Sequence, residues 1–356
     1  ANESTSHESS QAVPQVPTVG LGQALPHLTR TGCIYLDYNA TTPIFPEVAN
    51  EMAPFVFEHF GNPSSGHVYG RACKSALDTA RQRVAALIAA ASPSAVLAHL
   101  THLQEQGLLS YTLVPVDGEG LVSPADVAAA VTPATCLVTV MHSNNESTGK
   151  VDLDVGALDL DLMTLVGHKF GAPKGVAALY VRHGTALPNY FYGGGQEGGR
   201  RAGTENVMQV VGLGAAAAIT VRERRQLQTH MGDMAQRLLA AVRAQVAPAE
   251  QDKLRLNGPA DPTRRLPNTL SLSIRGLNSG AALAALSGRL AASAGAACHS
   301  SGAASVSAVL RAMKVPTDYA TGTLRLSTGR HTTTAEVDEA AGLIVAEARR
   351  QGVLAH

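Results

Sequence analysis

The sequence lacks an excess of charge of either sign. Lys+Arg 28 against Asp+Glu 28 gives a formal net charge of +0. That balance argues against nucleic acid or an anionic membrane surface as the main partner. Long apolar runs are missing too: nothing approaches the roughly 20 residues needed to cross a bilayer. The chain has four cysteines, Cys33, Cys73, Cys136 and Cys298, with no CxxC pair among them. Neither a disulfide framework nor a metal site is suggested, and a reducing compartment is expected. That points to the cytoplasm, with the mitochondrion left open. No arginine precedes Arg30, and Glu3 and Glu8 come early, unlike a transit peptide. Residues 1–30, rich in Ser, Pro and Gln, are expected to form a disordered tail.

What is present is a chain of 356 residues with 45% hydrophobic content, enough for two domains. One stretch organises it. Leu162 to Val166 reads as a short buried strand and Val176 to Val181 as a second. Between them, Gly167, Gly171, Pro173 and Gly175 supply a tight turn that carries His168 and Lys169. A lysine in apolar surroundings loses hydration, which favours the neutral amine that attacks an aldehyde. The competing reading is a turn lysine that points into water.

Around this stretch the pattern is α/β. Helices are expected over Glu47–Phe57, Arg71–Ala91, Ala95–Gln106 and Ser123–Val131. Tyr111–Val116 reads as a strand, and Cys136–Met141 as a strand buried on both faces. The latter ends in a polar cluster, His142 to Glu146, where an open sheet usually places its ligand crevice. Phe191 to Asn206 is glycine-rich and carries Arg200, Arg201 and Thr204. It reads either as an anion cradle or as a flexible linker. Val207–Val246 is mostly helical. Beyond it, strands at Asn268–Ile274 and Gly322–Arg330 alternate with helices at Gly280–Leu290 and Ala335–Ala348. Thr333 and Glu336 have the spacing of a capping box. The expected division is a large domain over residues 31–245, incomplete, and a small α+β domain over residues 246–356.

Several motifs together resemble a family. They are Tyr35 to Pro43, Gly61 to Ser65, Met141 to Glu146, Gly167 to Lys169, Gly193 to Asn206, Ser293 to Cys298 and Leu324 to Arg330. Their order is that of the cysteine desulfurase and selenocysteine lyase group of class V aminotransferases. The resemblance implies fold type I, with a mostly parallel large-domain sheet, and pyridoxal 5'-phosphate as cofactor. It implies removal of sulfur or selenium from cysteine or selenocysteine to give alanine, with a sulfur or selenium acceptor protein as a further partner.

Carried over by position, Lys169 would link to the cofactor aldehyde and His168 would contact its phosphate. Asn145 would touch the ring hydroxyl or the substrate. Thr204 would reach the phosphate of a partner subunit, which implies a homodimer. Arg325 would grip the substrate carboxylate, a task suited to its planar fork. Cys298 would receive the sulfur or assist release of selenium. No metal is implied.

The match breaks twice. After Ala91 the family continues into a strand, a Gly-Thr-Glu-Ser loop and a ring-stacking histidine, none of which this sequence contains. His99 and His102 lie in the next helix and do not take that place. After Glu146 a helix and a strand ending in an Asp and a Gln that hold the cofactor ring are missing, and Asp152 and Asp154 belong to the segment beyond. The enzyme reading therefore includes a form disabled by its gaps. The alternative is a non-catalytic binding or regulatory protein of the same fold. A class V aminotransferase acting on another amine is disfavoured by the residues around Cys298.

Overall fold

A computed structural model describes residues 17, 19–26, 31–87, 104–140, 150–151, 154–189, 191–294, 296–297 and 305–356. Its main elements in chain order begin with β1 (Ile34–Tyr35), α1 (Pro46–Met52), α2 (Val68–Leu87) and α3 (Pro124–Ala130). The lysine hairpin follows as β2 (Leu162–Val166) and β3 (Ala177–Val181), and then α4 (Val207–Ala244). The remainder is β4 (Leu254–Leu256), β5 (Thr269–Ile274), α5 (Ser279–Ala285), β6 (Leu290–Ala291), β7 (Ser293–Ala294), β8 (Thr323–Ser327) and α6 (Thr334–Arg350).

The alternation read in the C-terminal part produces an antiparallel sheet of order β4-β5-β8-β7. Its register pairs Leu324 with Leu272 and Leu326 with Leu270, so the apolar residues of both strands share one face. That face packs with Val337, Ala341 and Ile344 of α6 and with Leu238 and Val242 of α4. α6 starts with both halves of the expected capping box in place, Thr333 and Glu336 bonding reciprocally.

α4 has 38 residues and, at about 1.5 Å per residue, is a long rod. Met234, Leu238 and Val242 near its C-terminal end belong to the core under the C-terminal sheet. Leu213, Ala216 and Ile219 near its start belong to a second core with Phe45, Val48, Val84, Leu165 and Phe170. Small residues allow this second contact. A Cβ on Gly214 would lie 2.6 Å from the Ala80 Cα of α2, so only glycine lets the two helices approach so closely.

In the hairpin, Leu162 pairs with Val181 and Val166 with Ala177, antiparallel. Met163 and Leu165 are buried, whereas Leu179 on the other strand is 56% exposed. Among the described residues this pair represents the large-domain sheet. Among the described residues parallel pairing is found between β1 and β6 and in isolated bridges from Asp37 to Ser327 and from Phe191 to Arg201.

The strand expectations upstream need correction. Tyr111–Val116 forms no strand beyond a bridge from Val116 to Val122. Cys136 to Val140, read as buried on both faces, is exposed and pairs with no strand among the described residues, with Leu137 at 59% and Val138 at 52%. The physical reason is that a central strand needs neighbours on both edges and layers on both faces. Among the described residues neither is there. Periodicity registered the strand's composition and had no information about its partners.

Helix expectations fare better. α2, α3 and α4 match in place, and the expected Glu47–Phe57 helix is divided in two, with Pro54 opening the second piece. The helix expected over Ala95–Gln106 lies mostly outside the described residues, as does the polar cluster His142 to Glu146. The tail falls partly outside them too. Within its described part Leu25 is buried, Gly22 N–H donates to the Arg330 carbonyl at 2.9 Å, and the Gln23 carbonyl meets His331 Nδ1 at 3.1 Å.

Candidate active site

The site is built on two short connections, the turn after β2 and the loop after β1. Gly167–Lys169 forms one turn of 3-10 helix. Phe45 closes over this turn. Gly171 has φ +87°, and a Cβ there would lie 2.4 Å from the Phe45 ring, so the residue must be glycine on both counts. The β1 loop ties down the turn: Thr42 N–H donates to the His168 carbonyl at 2.8 Å, and Gly171 N–H to the Thr42 hydroxyl at 2.8 Å.

Within that frame Lys169 Nζ donates to the backbone carbonyls of Asn39 at 2.7 Å and Ala40 at 3.2 Å. It is half-buried, so the alternative of a lysine pointing freely into water does not describe it. His168 Nδ1 lies 3.1 Å from the Thr41 hydroxyl. Burial, then the charges of Lys169 and Lys174, lower the His168 pKa below its ordinary value, which favours the neutral ring.

Asn39 is the hub of the site. It is fully buried, and its Oδ1 accepts from Lys150 Nζ at 2.7 Å and from Asn268 Nδ2 at 2.9 Å. Its Nδ2 donates to the Thr269 hydroxyl at 2.8 Å, and its backbone N–H to the Ser327 hydroxyl at 2.9 Å. Two residues earlier, Asp37 Oδ1 accepts from Arg325 Nη2 at 3.0 Å and from the Ser293 hydroxyl at 2.9 Å. Tyr35 donates its hydroxyl to the carbonyls of Asp37 and Thr41, and its pKa is pushed up to about 12 by burial and by Asp37, with Arg325 opposing. One short loop thus touches both the lysine amine and the arginine guanidinium.

The expected site residues separate accordingly. Lys169, His168 and Arg325 converge on the β1 loop. Thr204 is exposed, in the glycine-rich segment before α4. Asn145 and Cys298 lie outside the described residues. Sequence reasoning missed the parts played by Asp37, Asn39 and Lys150. Asp37 and Asn39 stood in a motif already singled out, and two polar residues just past a strand were the available signal. Lys150, now 4% exposed, carried no sequence signal for burial.

With this geometry in view, comparison with known proteins is decisive. The sequence profile described as aminotransferase class-V matches residues 34–99 and 146–340. The chain belongs to the aminotransferase class-V family. It is 32% identical to the cysteine desulfurase IscS of Clostridium botulinum over 370 aligned positions, covering 86% of this chain and 91% of that one. It is 33% identical to the selenocysteine lyase of Bos taurus over 401 positions, again covering 86% and 91%. Among solved structures, a NifS-like protein superposes with a TM-score of 0.77 at 26% identity, covering 90% of this chain and 100% of that chain. The fold is that of the fold type I class V enzymes.

Both curated alignments are longer than the 356 residues of the chain itself, so they open gaps on its side. The family match is interrupted over residues 100–145, the region in which Cys136 to Val140 pairs with no strand among the described residues.

Class V members of this kind depend on pyridoxal phosphate. The described residues do not fit that group as they stand. The cavity lined by Lys169, Lys150, Phe45, Thr220, Met231 and Arg330 measures about 30 Å³. That is room for a water or two, against roughly 300 Å³ or more for a small-molecule site. A larger cleft of about 660 Å³ lies by Ser64, Arg81 and Gly195 to Gly198, and Lys169 does not line it. There Arg81 is held by Glu197 at 2.9 Å and Glu205 at 3.8 Å, so a phosphate would meet two carboxylates.

Proposed function

We propose that this chain is a member of the branch that removes sulfur or selenium from cysteine or selenocysteine to leave alanine, in a form that holds its cofactor poorly. The supporting observation is the β1 loop. Asn39 and Ala40 take the amine of Lys169 while Asp37 takes the guanidinium of Arg325. The amine that would condense with the cofactor's aldehyde and the guanidinium that would bind a substrate carboxylate are thereby set one short loop apart.

In this reading Lys169 is the residue that carries the cofactor in complete members, with His168, Asn145 and Thr204 as further contacts. Arg325 binds the substrate carboxylate, and Cys298 accepts the sulfur or assists release of selenium. Its further partners are an acceptor protein for that element and a second copy of the chain, and its setting is the cytoplasm. Among the described residues the cavity at Lys169 is much smaller than the cofactor, so the group enters only where the pocket opens.

That small cavity, together with the Arg325–Asp37 pair, favours a second reading: a non-catalytic member that keeps the fold and its surfaces. Incubation with pyridoxal phosphate, borohydride reduction and peptide mapping test the assignment of Lys169. The adduct is expected on Lys169, in low yield. An adduct on Lys150 or Lys174 instead would reject it.

A further inference from the structure

Residues 19–26 lie as a strap across the loop that follows β8. Gly20 and Gln23 close a turn in it: Gln23 N–H donates to the Gly20 carbonyl at 3.2 Å, and Gly20 N–H to Gln23 Oε1 at 3.1 Å. Within the turn Gly22 has φ +72°, and a Cβ there would lie 3.1 Å from Cε1 of His230 on α4, so the strap sits against that ring. Gly22 N–H donates to the Arg330 carbonyl at 2.9 Å, the Gln23 carbonyl meets His331 Nδ1 at 3.1 Å, and Leu25 is 1% exposed. The loop underneath is one wall of the Lys169 cavity. Gly329 and Arg330 line it, and the Arg330 guanidinium lies over the Phe45 ring, 4.7 Å from its centre.

We propose that residues 19–26 are an acid-releasable strap: docked through Gly22, Gln23 and Leu25, they hold the Gly329–Thr332 loop, and with it Arg330, against the Lys169 cavity, and a proton taken up by His331 lifts them. A carbonyl only accepts, so the bond to Gln23 places the proton of the neutral ring on Nδ1. Nε2 is buried and meets no hydrogen-bond partner among the described residues. A second proton goes to that atom and creates a buried charge with no acceptor, which only water relieves. Of the groups over the ring, Phe45 at 6.0 Å is part of a core and is seated on Gly171. Residues 19–25 belong to no helix or strand, so the strap is the cover that opens at least cost.

The charged groups around His331 act in the same direction. The strap itself has no titratable side chain. Burial, followed by Arg330, lowers the His331 pKa to about 4; the Gln23 carbonyl and Glu47 of α1 oppose this, and His230 of α4 adds to it. Burial also lowers the His230 pKa, with Asp233 opposing. Against burial, the hydrogen bonds from Arg330 hold Glu47 below the usual carboxylate range, so their pair outlasts the titration of the histidine. Glu223 is the second carboxylate on Arg330, at 3.1 Å, and Glu336 is engaged in the cap of α6. Tyr38 has its pKa raised by burial and is neutral. With the strap lifted, His331 returns toward about 6.5. The docked form then binds fewer protons than the open one, so docking is strongest above pH ~6.5 and weakens about tenfold per unit down to about 4. None of this depends on the reading of Lys169.

The test is hydrogen exchange of the full chain, read by mass spectrometry and corrected for the intrinsic effect of pH on exchange. Peptides covering residues 19–26 and 328–333 report on strap and loop, and the middle of α6 reports on global unfolding. Protection of the strap should lie well below that of α6, and should fall roughly a hundredfold between about pH 6.5 and 4.5. His331→Gln should flatten this fall. Leu25→Asp should expose both the strap and the loop peptide at neutral pH while α6 stays protected. Should His331→Gln fail to fold, the profile of the unaltered chain and Leu25→Asp decide. Strap protection that does not change with pH overturns the proposal, as does a strap that opens only together with α6. A loop peptide equally protected with and without Leu25→Asp overturns it too.

Discussion

Arg325 and Asp37 form an ion pair, Nη2 to Oδ1 at 3.0 Å, with Ser293 bonded to both partners. The arginine expected to receive a substrate carboxylate already holds one from its own chain. The pair is half-buried, at 31% and 19% exposure, so its worth lies between that of an exposed pair and that of a desolvated one.

Arg325→Ala should therefore lower stability by roughly 1–3 kcal/mol in urea unfolding. Adding Asp37→Asn should recover part of the loss, because the carboxylate is no longer left without its partner. A double-mutant cycle with no coupling between the two positions would reject the pair. In a form with both missing segments restored, Arg325→Ala should also weaken cysteine binding while cofactor binding survives.

Stability should fall as the solution is acidified through the range of His331. This ring is 1% exposed, and burial, followed by the charge of Arg330, lowers its pKa to about 4. The unfolded chain has a histidine of pKa about 6.5, so between those values it binds more protons than the folded one. The contribution is complete above pH ~6.5 and is lost progressively down to about 4, on the order of 3 kcal/mol in all. Thermal melting across that window should show a drop that His331→Gln diminishes. Equal slopes in the two proteins would contradict this account.

Exposure of Cys136 to Val140 makes a prediction opposite to the one its composition makes. A charge placed in a buried central strand costs several kcal/mol. Here Val138→Lys and Val140→Lys should each change stability by no more than about 0.5 kcal/mol, since both residues are 52% exposed. A loss of several kcal/mol in either would show the segment to be buried after all.

What was legible in the sequence follows from range. α2, α4 and α6 announce themselves through local periodicity and caps, and the Thr333–Glu336 box needs only four residues to specify itself. The hairpin around Lys169 was readable because its two strands are joined by a turn rich in glycine. Cys136 to Val140 failed because strand burial depends on distant partners, and composition cannot report that they are missing. The Asn39 hub lay beyond reach for a similar reason. It joins Lys150, Lys169, Asn268 and Ser327 across hundreds of residues, and nothing local marks a lysine for burial.

The central claim is that this chain keeps the lysine turn of its family without the space to hold the cofactor. The most direct measurement is equilibrium titration of the purified chain with pyridoxal phosphate, followed by the visible absorbance of the bound cofactor. It is run beside a version in which the two missing segments are supplied from a close relative. The account predicts weak or no binding for the chain as it stands. It predicts a stoichiometric yellow complex for the restored version, together with alanine production from cysteine or selenocysteine. Losing two or more charge-assisted hydrogen bonds at about 1.5–3 kcal/mol each should separate the two affinities by at least a hundredfold. Equal, tight binding and equal turnover by the two proteins would contradict it.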